Sequence, residues 1–214
     1  PERLDNAIRE FHKVGLCNKV IFYQTERDKL GGMRGCWESH RAIAKKCLQE
    51  KVPWYLVFED DVMFDTKIFG QNTIEQIKDA LDNLPKDWCF LFLGGIPRLI
   101  YPLTIKHHYV GYSGWLTHAG FYSNYLAEKL YEMPFDIANE GIENKSDYLE
   151  VDAWFAQNFI LQTFLFFPPI AFVNSKLESD LIHDRQPILK QMQETYSQEL
   201  NQVYLWFSLV YPII

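Results

Sequence analysis

Residues 54–65 read WYLVFEDDVMFD: five apolar residues, Trp54 to Phe58, run straight into Glu59, Asp60 and Asp61. An apolar run of this length, rich in aromatic and β-branched side chains, suits a strand buried on both faces of a parallel sheet. Three adjacent carboxylates do not suit a core, because an unpaired buried charge costs roughly several kcal/mol. The strand is therefore expected to end near Phe58 and to present its acids at the carboxyl edge, where open α/β sheets bind ligands. Adjacent acids repel, and a bound divalent cation is the simplest compensation. The plainer alternative is a solvated acidic turn that caps the next helix.

Upstream, Trp37, Arg41, Ala44 and Leu48 recur at helical spacing, predicting a helix over 36–50 beside the central strand, with Ser39 and His40 in its first turns. A histidine so placed is more often a hydrogen-bonded core residue than a ligand. Residues 26–35 are polar, carry Gly31, Gly32 and Gly35, and read as a loop in which Arg34 is able to meet a phosphate. Residues 20–23 read as a short strand. Leu4, Ile8, Phe11 and Val14 predict an amphipathic helix over 2–14, closed by Gly15. An α/β domain usually begins with a strand, and this reading places one upstream of Pro1.

Downstream, Ile74, Ile77, Leu81 and Leu84 mark a helix ended by Pro85, and 89–93 (CFLFL) is a second apolar strand. Residues 97–112 read as irregular, with His107 and His108 too close in sequence to share a metal across a strand. Residues 115–123 (WLTHAGFYS) read as a strand carrying Thr117 and His118, followed by a helix over 125–132. Glu150 and Asp152 open an apolar helix. They are either acids favoured by its dipole or a general base at a cleft edge. Residues 163–167 and 170–173 are strand material. Residues 186–214 read as a helical tail with an apolar end, LWFSLVYPII, which makes a homodimer plausible.

The 214 residues suffice for one large α/β domain. A net charge of −7 and a pI of about 5.4 argue against nucleic acid as a partner. Cys17, Cys36, Cys47 and Cys89 form no CxxC pair, so reduced thiols are expected. No apolar run reaches the ~18 residues of a membrane span. Without a visible signal peptide or disulfide pattern, a cytoplasmic setting is favoured.

Several stretches, in order, resemble glycosyltransferase family 25, a family of lipooligosaccharide and collagen galactosyltransferases. PERLDNAIREF resembles its opening helix, GCWESHRAI (35–43) its Gly-Cys-x-x-Ser-His segment, and FEDDV (58–62) its Glu-Asp-Asp-Val motif. GWLTHAGFYSNYLAEKL (114–130) is similar to its Gly-Thr-His-Ala-Tyr stretch, VDAWFAQ (151–157) to its Val-Asp helix and ESDLIHD (178–184) to its late Ser-Asp. Trp115-Leu116 stands where the family has Gly before Thr117, and Trp154-Phe155 departs from its Val-Asp motif.

The resemblance implies a GT-A type, Rossmann-like α/β/α sandwich with a mostly parallel sheet over 1–185, and a helical extension over 186–214. It implies an inverting hexosyltransferase that uses a UDP-sugar, UDP-galactose or UDP-glucose, with Mn²⁺ or Mg²⁺ and a glycan or glycoprotein acceptor. Glu59, Asp61 and a late histidine, His183, would hold the metal. Arg34, Ser39, His40, Asp60 and His118 would line the donor side. Asp152, and after it Glu150, would be the base. The competing readings are a catalytically silent, transferase-like binding protein and a metal-dependent phosphohydrolase, the latter lacking its nucleophile motif here.

Overall fold

The computed structural model describes residues 2–67, 69–70, 72–101, 107–144, 147–174 and 177. His183 and the 186–214 extension lie outside the described residues, and with them the expected tail-mediated dimer.

The helices are α1 (Glu2–Lys13), α2 (Gly32–Glu50), α3 (Thr73–Asn83), α4 (Asn124–Glu132), α5 (Phe135–Ala138) and α6 (Val151–Asn158). The strands are β1 (Trp54–Phe58), β2 (Val62–Phe64), β3 (Phe90–Phe92), β4 (Ile96–Tyr101), β5 (Tyr109–Trp115), β6 (Ala119–Ser123), β7 (Thr163–Phe166) and β8 (Ala171–Val173). Among these, six strands form one sheet in the order β1-β6-β3-β7-β5-β4, and β2 pairs with β8 in a separate ribbon.

The α/β expectation holds, with a correction. Only β3 and β7 pair in parallel, and every other neighbour in the large sheet is antiparallel. The apolar run of β1 was read as a central parallel strand, but β1 stands at the sheet edge against antiparallel β6. β6 sits between β1 and β3, so those two run in one direction without touching. Nothing local to either strand announces the insertion.

The two faces of the sheet carry separate cores. Phe90, Phe92, Tyr112, Tyr122 and Leu165 face Trp37 of α2, Leu126 and Leu130 of α4 and Phe155 of α6. The alternate residues Leu91, Phe121, Phe164 and Phe166 face Phe11 of α1 and Ile77 and Ala80 of α3. This is the two-residue period of a strand covered on both sides, giving three layers. Aromatic rings lock the first core: Phe90 meets Tyr122 edge-on at 4.6 Å, and Tyr55 stacks on Tyr122 at 4.9 Å. Truncating a ring such as Phe90 to alanine costs about 3–5 kcal/mol in such a setting.

Four local expectations change. Residues 20–23 form no strand, and Ile21 is 82% exposed. Residues 97–112 are not wholly irregular, because β4 and β5 pair across them. The 115–123 stretch is broken: β5 ends at Trp115, β6 begins at Ala119, and Leu116 between them adopts φ 79°. Finally, α1 buries Asn6, Ala7, Glu10 and Phe11 while Leu4 and Ile8 stay exposed, so its inward face is partly polar. No helix among the described residues is long and apolar enough to cross a membrane.

Candidate functional site

β1 delivers its acids into a tight turn, closed by the Val62 N–H donating to the Glu59 carbonyl at 3.2 Å. The Glu59 N–H donates to the His118 carbonyl at 2.8 Å, so the start of β6 is fixed beside the first acid. From α2, His40 places Nε2 at 3.5 Å from Glu59 Oε1, while its Nδ1 lies 2.7 Å from the Tyr122 hydroxyl. Thr117 Oγ1 donates to the same Glu59 oxygen at 2.9 Å.

Asp152 holds the turn that precedes Thr117. The Leu116 N–H donates to Asp152 Oδ2 at 2.8 Å, and the Ala153 N–H donates to Asp152 Oδ1 at 2.6 Å. Leu116 has no glycine's freedom at φ 79°, a conformation that costs about 1–3 kcal/mol and persists only where its surroundings enforce it. Asp152, 7% exposed at the start of α6, supplies that enforcement.

The opposite flank belongs to α1. Arg3, Asn6 and Glu10 fall on one helical face. Arg3 donates to both Asp60 oxygens, at 2.8 and 2.6 Å, and to Asp61 Oδ2 at 3.3 Å. Asn6 donates to the carbonyls of Asp60 and Val62, at 3.0 and 3.3 Å, and accepts from Asn174 at 2.9 Å. Buried Glu10 accepts the Phe64 N–H at 3.1 Å. The polar stripe therefore grips the acid turn and β2, Arg3 through side-chain carboxylates and Asn6 and Glu10 through backbone groups.

The acids differ in charge state. Burial opposes ionisation of Glu59, but His40, His118 and Thr117 outweigh it and hold its carboxyl below the usual glutamate range. Burial, reinforced by Glu59 and Asp60 against the opposing Arg3, pushes Asp61 up to about 7. Asp61 Oδ1 is buried with no hydrogen-bond partner among the described residues. Burial also raises Asp152, against the pull of its two backbone N–H donors. His118 is 2% exposed and lowered by burial. The Leu116 and Ala171 carbonyls and Glu59 favour its charge, yet neither ring nitrogen completes a hydrogen bond among the described residues.

The structure thus gathers Glu59, Asp60, Asp61, His40, His118 and Asp152. Glu150 stands directly before α6, and its charge, after those of Glu59, Asp152 and Asp61, adds to the larger effect of burial that raises the Cys36 thiol. Arg34 does not join: it is tied to Asp28 at 2.6 Å and Asp136 at 3.3 Å. Ser39 spends its hydroxyl on the Gly35 carbonyl at 2.6 Å, within its own helix.

Arg3, Asn6 and Tyr122 were missed, and Thr117 was seen without a role. Arg3, Asn6 and Glu10 were legible in principle as a polar i, i+3, i+7 row on an otherwise amphipathic helix. Tyr122 carried no signal, because a tyrosine in a strand is ordinary core material.

Among the described residues, Asp61, through its unpartnered oxygen, and Glu59 could hold a hard cation. No curated protein matches this chain. Residues 14–92, under half of the chain, match the family model of glycosyltransferase family 25 (LPS biosynthesis protein), a span that takes in α2, β1, the three acids and β3. The match suggests glycosyl transfer as the reaction class, and for that span the resemblance read in the sequence is shown to be one to glycosyltransferase family 25.

Proposed function

We propose that the protein transfers a hexose from a UDP-sugar to a hydroxyl of a glycan or glycoprotein acceptor, with inversion, and uses a hard divalent cation at the acid turn. One observation carries this reading: Asp61 Oδ1 is buried and unpartnered beside Glu59 at the end of β1. A buried acceptor without a donor costs about 1–3 kcal/mol, which a ligand would relieve. Two carboxylates are a donor set suited to Mn²⁺ or Mg²⁺. Such an ion, once bound, neutralises the charge on a diphosphate leaving group.

The chain's own residues supply the rest. Arg3 adds a guanidinium next to Asp60 and Asp61, a second positive charge for a diphosphate. Thr117 and His40 hold Glu59 in one orientation. Asp152 accepts the proton of the acceptor hydroxyl in a single in-line displacement, and burial raises its proton affinity above that of an ordinary aspartate, which favours a base. Each Asp152 oxygen gives one lone pair to a backbone N–H and keeps another. Glu150 is the second candidate for this role.

One observation favours a transferase-like binding protein without catalysis. Arg3 already compensates Asp60 and part of Asp61, as a cation would. A screen of UDP release across UDP-sugars, with and without Mn²⁺, separates the two. Mn²⁺-stimulated release from UDP-galactose or UDP-glucose is expected. UDP binding without release from any donor would establish the silent reading.

A further inference from the structure

The acid turn has a second set of donors on its other side. A Cys36 sulfur, a His40 ring nitrogen and a Glu59 oxygen all lie within 4.8 Å of one another. Cys36 and His40 are four residues apart on α2 and so share a face. Two neighbours orient the set. Tyr122 holds the Nδ1 edge of His40, leaving Nε2 toward Glu59, and Thr117 holds the Glu59 carboxylate. Such anchoring of a ligand's far edge is characteristic of metal sites. Cys36 and Glu59 are only half-buried, so an ion has a way in. His118, 2% exposed, lies near the same acid, and Glu59 favours its charge.

We propose that Cys36, His40 and Glu59 bind a borderline-soft divalent cation, Zn²⁺ being the type, at a position distinct from the hard-cation position at Asp61. Thiolate, imidazole and carboxylate together suit Zn²⁺ in a three-ligand site with one position open, whereas Mn²⁺ and Mg²⁺ prefer oxygen. On binding, the Cys36 S–H bond breaks, a sulfur–metal bond forms and the proton leaves to solvent. Binding itself does not depend on the transferase reading. One consequence does: Glu59 serves both positions, so Zn²⁺ held here inhibits Mn²⁺-dependent transfer.

The test is titration of the reduced, metal-free protein with Co²⁺, followed by absorption. A thiolate-to-cobalt charge-transfer band that saturates at a single equivalent and is displaced by Zn²⁺ is expected. Asp61→Ala keeps the band, as do Cys47→Ser and Cys89→Ser. Cys36→Ser loses it while circular dichroism and Mn²⁺-dependent UDP binding stay as in the wild type. Tyr122→Phe, which removes only the imidazole anchor, weakens Co²⁺ binding by about tenfold or more. Absence of the band in the wild-type protein, its persistence in Cys36→Ser, or its loss in Asp61→Ala would overturn the proposal. UDP binding with Mn²⁺ but no cobalt band would sink this site and leave the transferase reading standing.

Discussion

The two flanks of the β1–β2 turn treat neighbouring carboxylates in opposite ways. On the α2 flank, Glu59 meets an imidazole and a hydroxyl and is held ionised. On the α1 flank, Asp60 is exposed and paired with Arg3, while Asp61 receives one long contact from the same guanidinium and is pushed up to about 7. Three acids that look equivalent in sequence therefore differ in the fold: one satisfied by side chains, one by a surface ion pair, and one left short. The lesson is that the acid lacking compensation is where a ligand has most to offer, because relief of an unmet buried polar group adds to ligand affinity.

The sharpest challenge to this contrast comes from the start of α6. Asp152→Asn is expected to lower transfer by roughly 10²–10⁴-fold, the usual worth of a general base, with UDP affinity unchanged. Loss of UDP binding along with transfer would make Asp152 a positioning residue for Thr117 instead.

Next in size is a pH effect. Asp61 has a folded value of about 7 against an ordinary 3.8, so the native state holds a proton that the unfolded chain has released. Metal-free stability is then greatest at the acid end of this window and falls as pH rises from about 4 to about 7, by up to roughly 4 kcal/mol. Asp61→Asn should flatten that slope and raise the melting temperature at pH 8. An unchanged slope in urea titrations across this range would mean that Asp61 is compensated as well as Glu59.

Smaller effects separate the flanks. Asn6→Ala leaves the carbonyls of Asp60 and Val62 without their donor and should cost about 1–3 kcal/mol in urea denaturation. Thr117→Val removes one hydrogen bond to a carboxylate that keeps His40, and about 1 kcal/mol is expected. A reversed order would show that the α2 flank, not the α1 stripe, holds the turn.

Much of this was legible in the sequence, for reasons that also explain the failures. The run from Trp54 to Phe58 announced a strand because its composition and length leave few alternatives, and the acids after it marked the strand end. Their position on an edge strand was not legible, since burial on both faces by helices yields the same apolar run whatever the pairing direction. His40, His118 and Asp152 were named, but the turn at Leu116 was hidden, because a leucine at φ 79° is enforced by a residue 36 positions away. Leu4 and Ile8 misled the reading of α1. Their spacing is helical, yet the helix turns its Arg3–Asn6–Glu10 row inward, since the acid turn offers carbonyls and carboxylates rather than apolar surface. Arg34 looked like a phosphate ligand only until Asp28 and Asp136 were seen to claim it.

The most direct test of the central claim is isothermal titration of UDP into the wild-type protein and Asp61→Ala, each with and without Mn²⁺. Binding that needs the ion in the wild type and disappears in Asp61→Ala is the predicted result. Equal UDP affinity in both proteins, or no dependence on Mn²⁺, would contradict it.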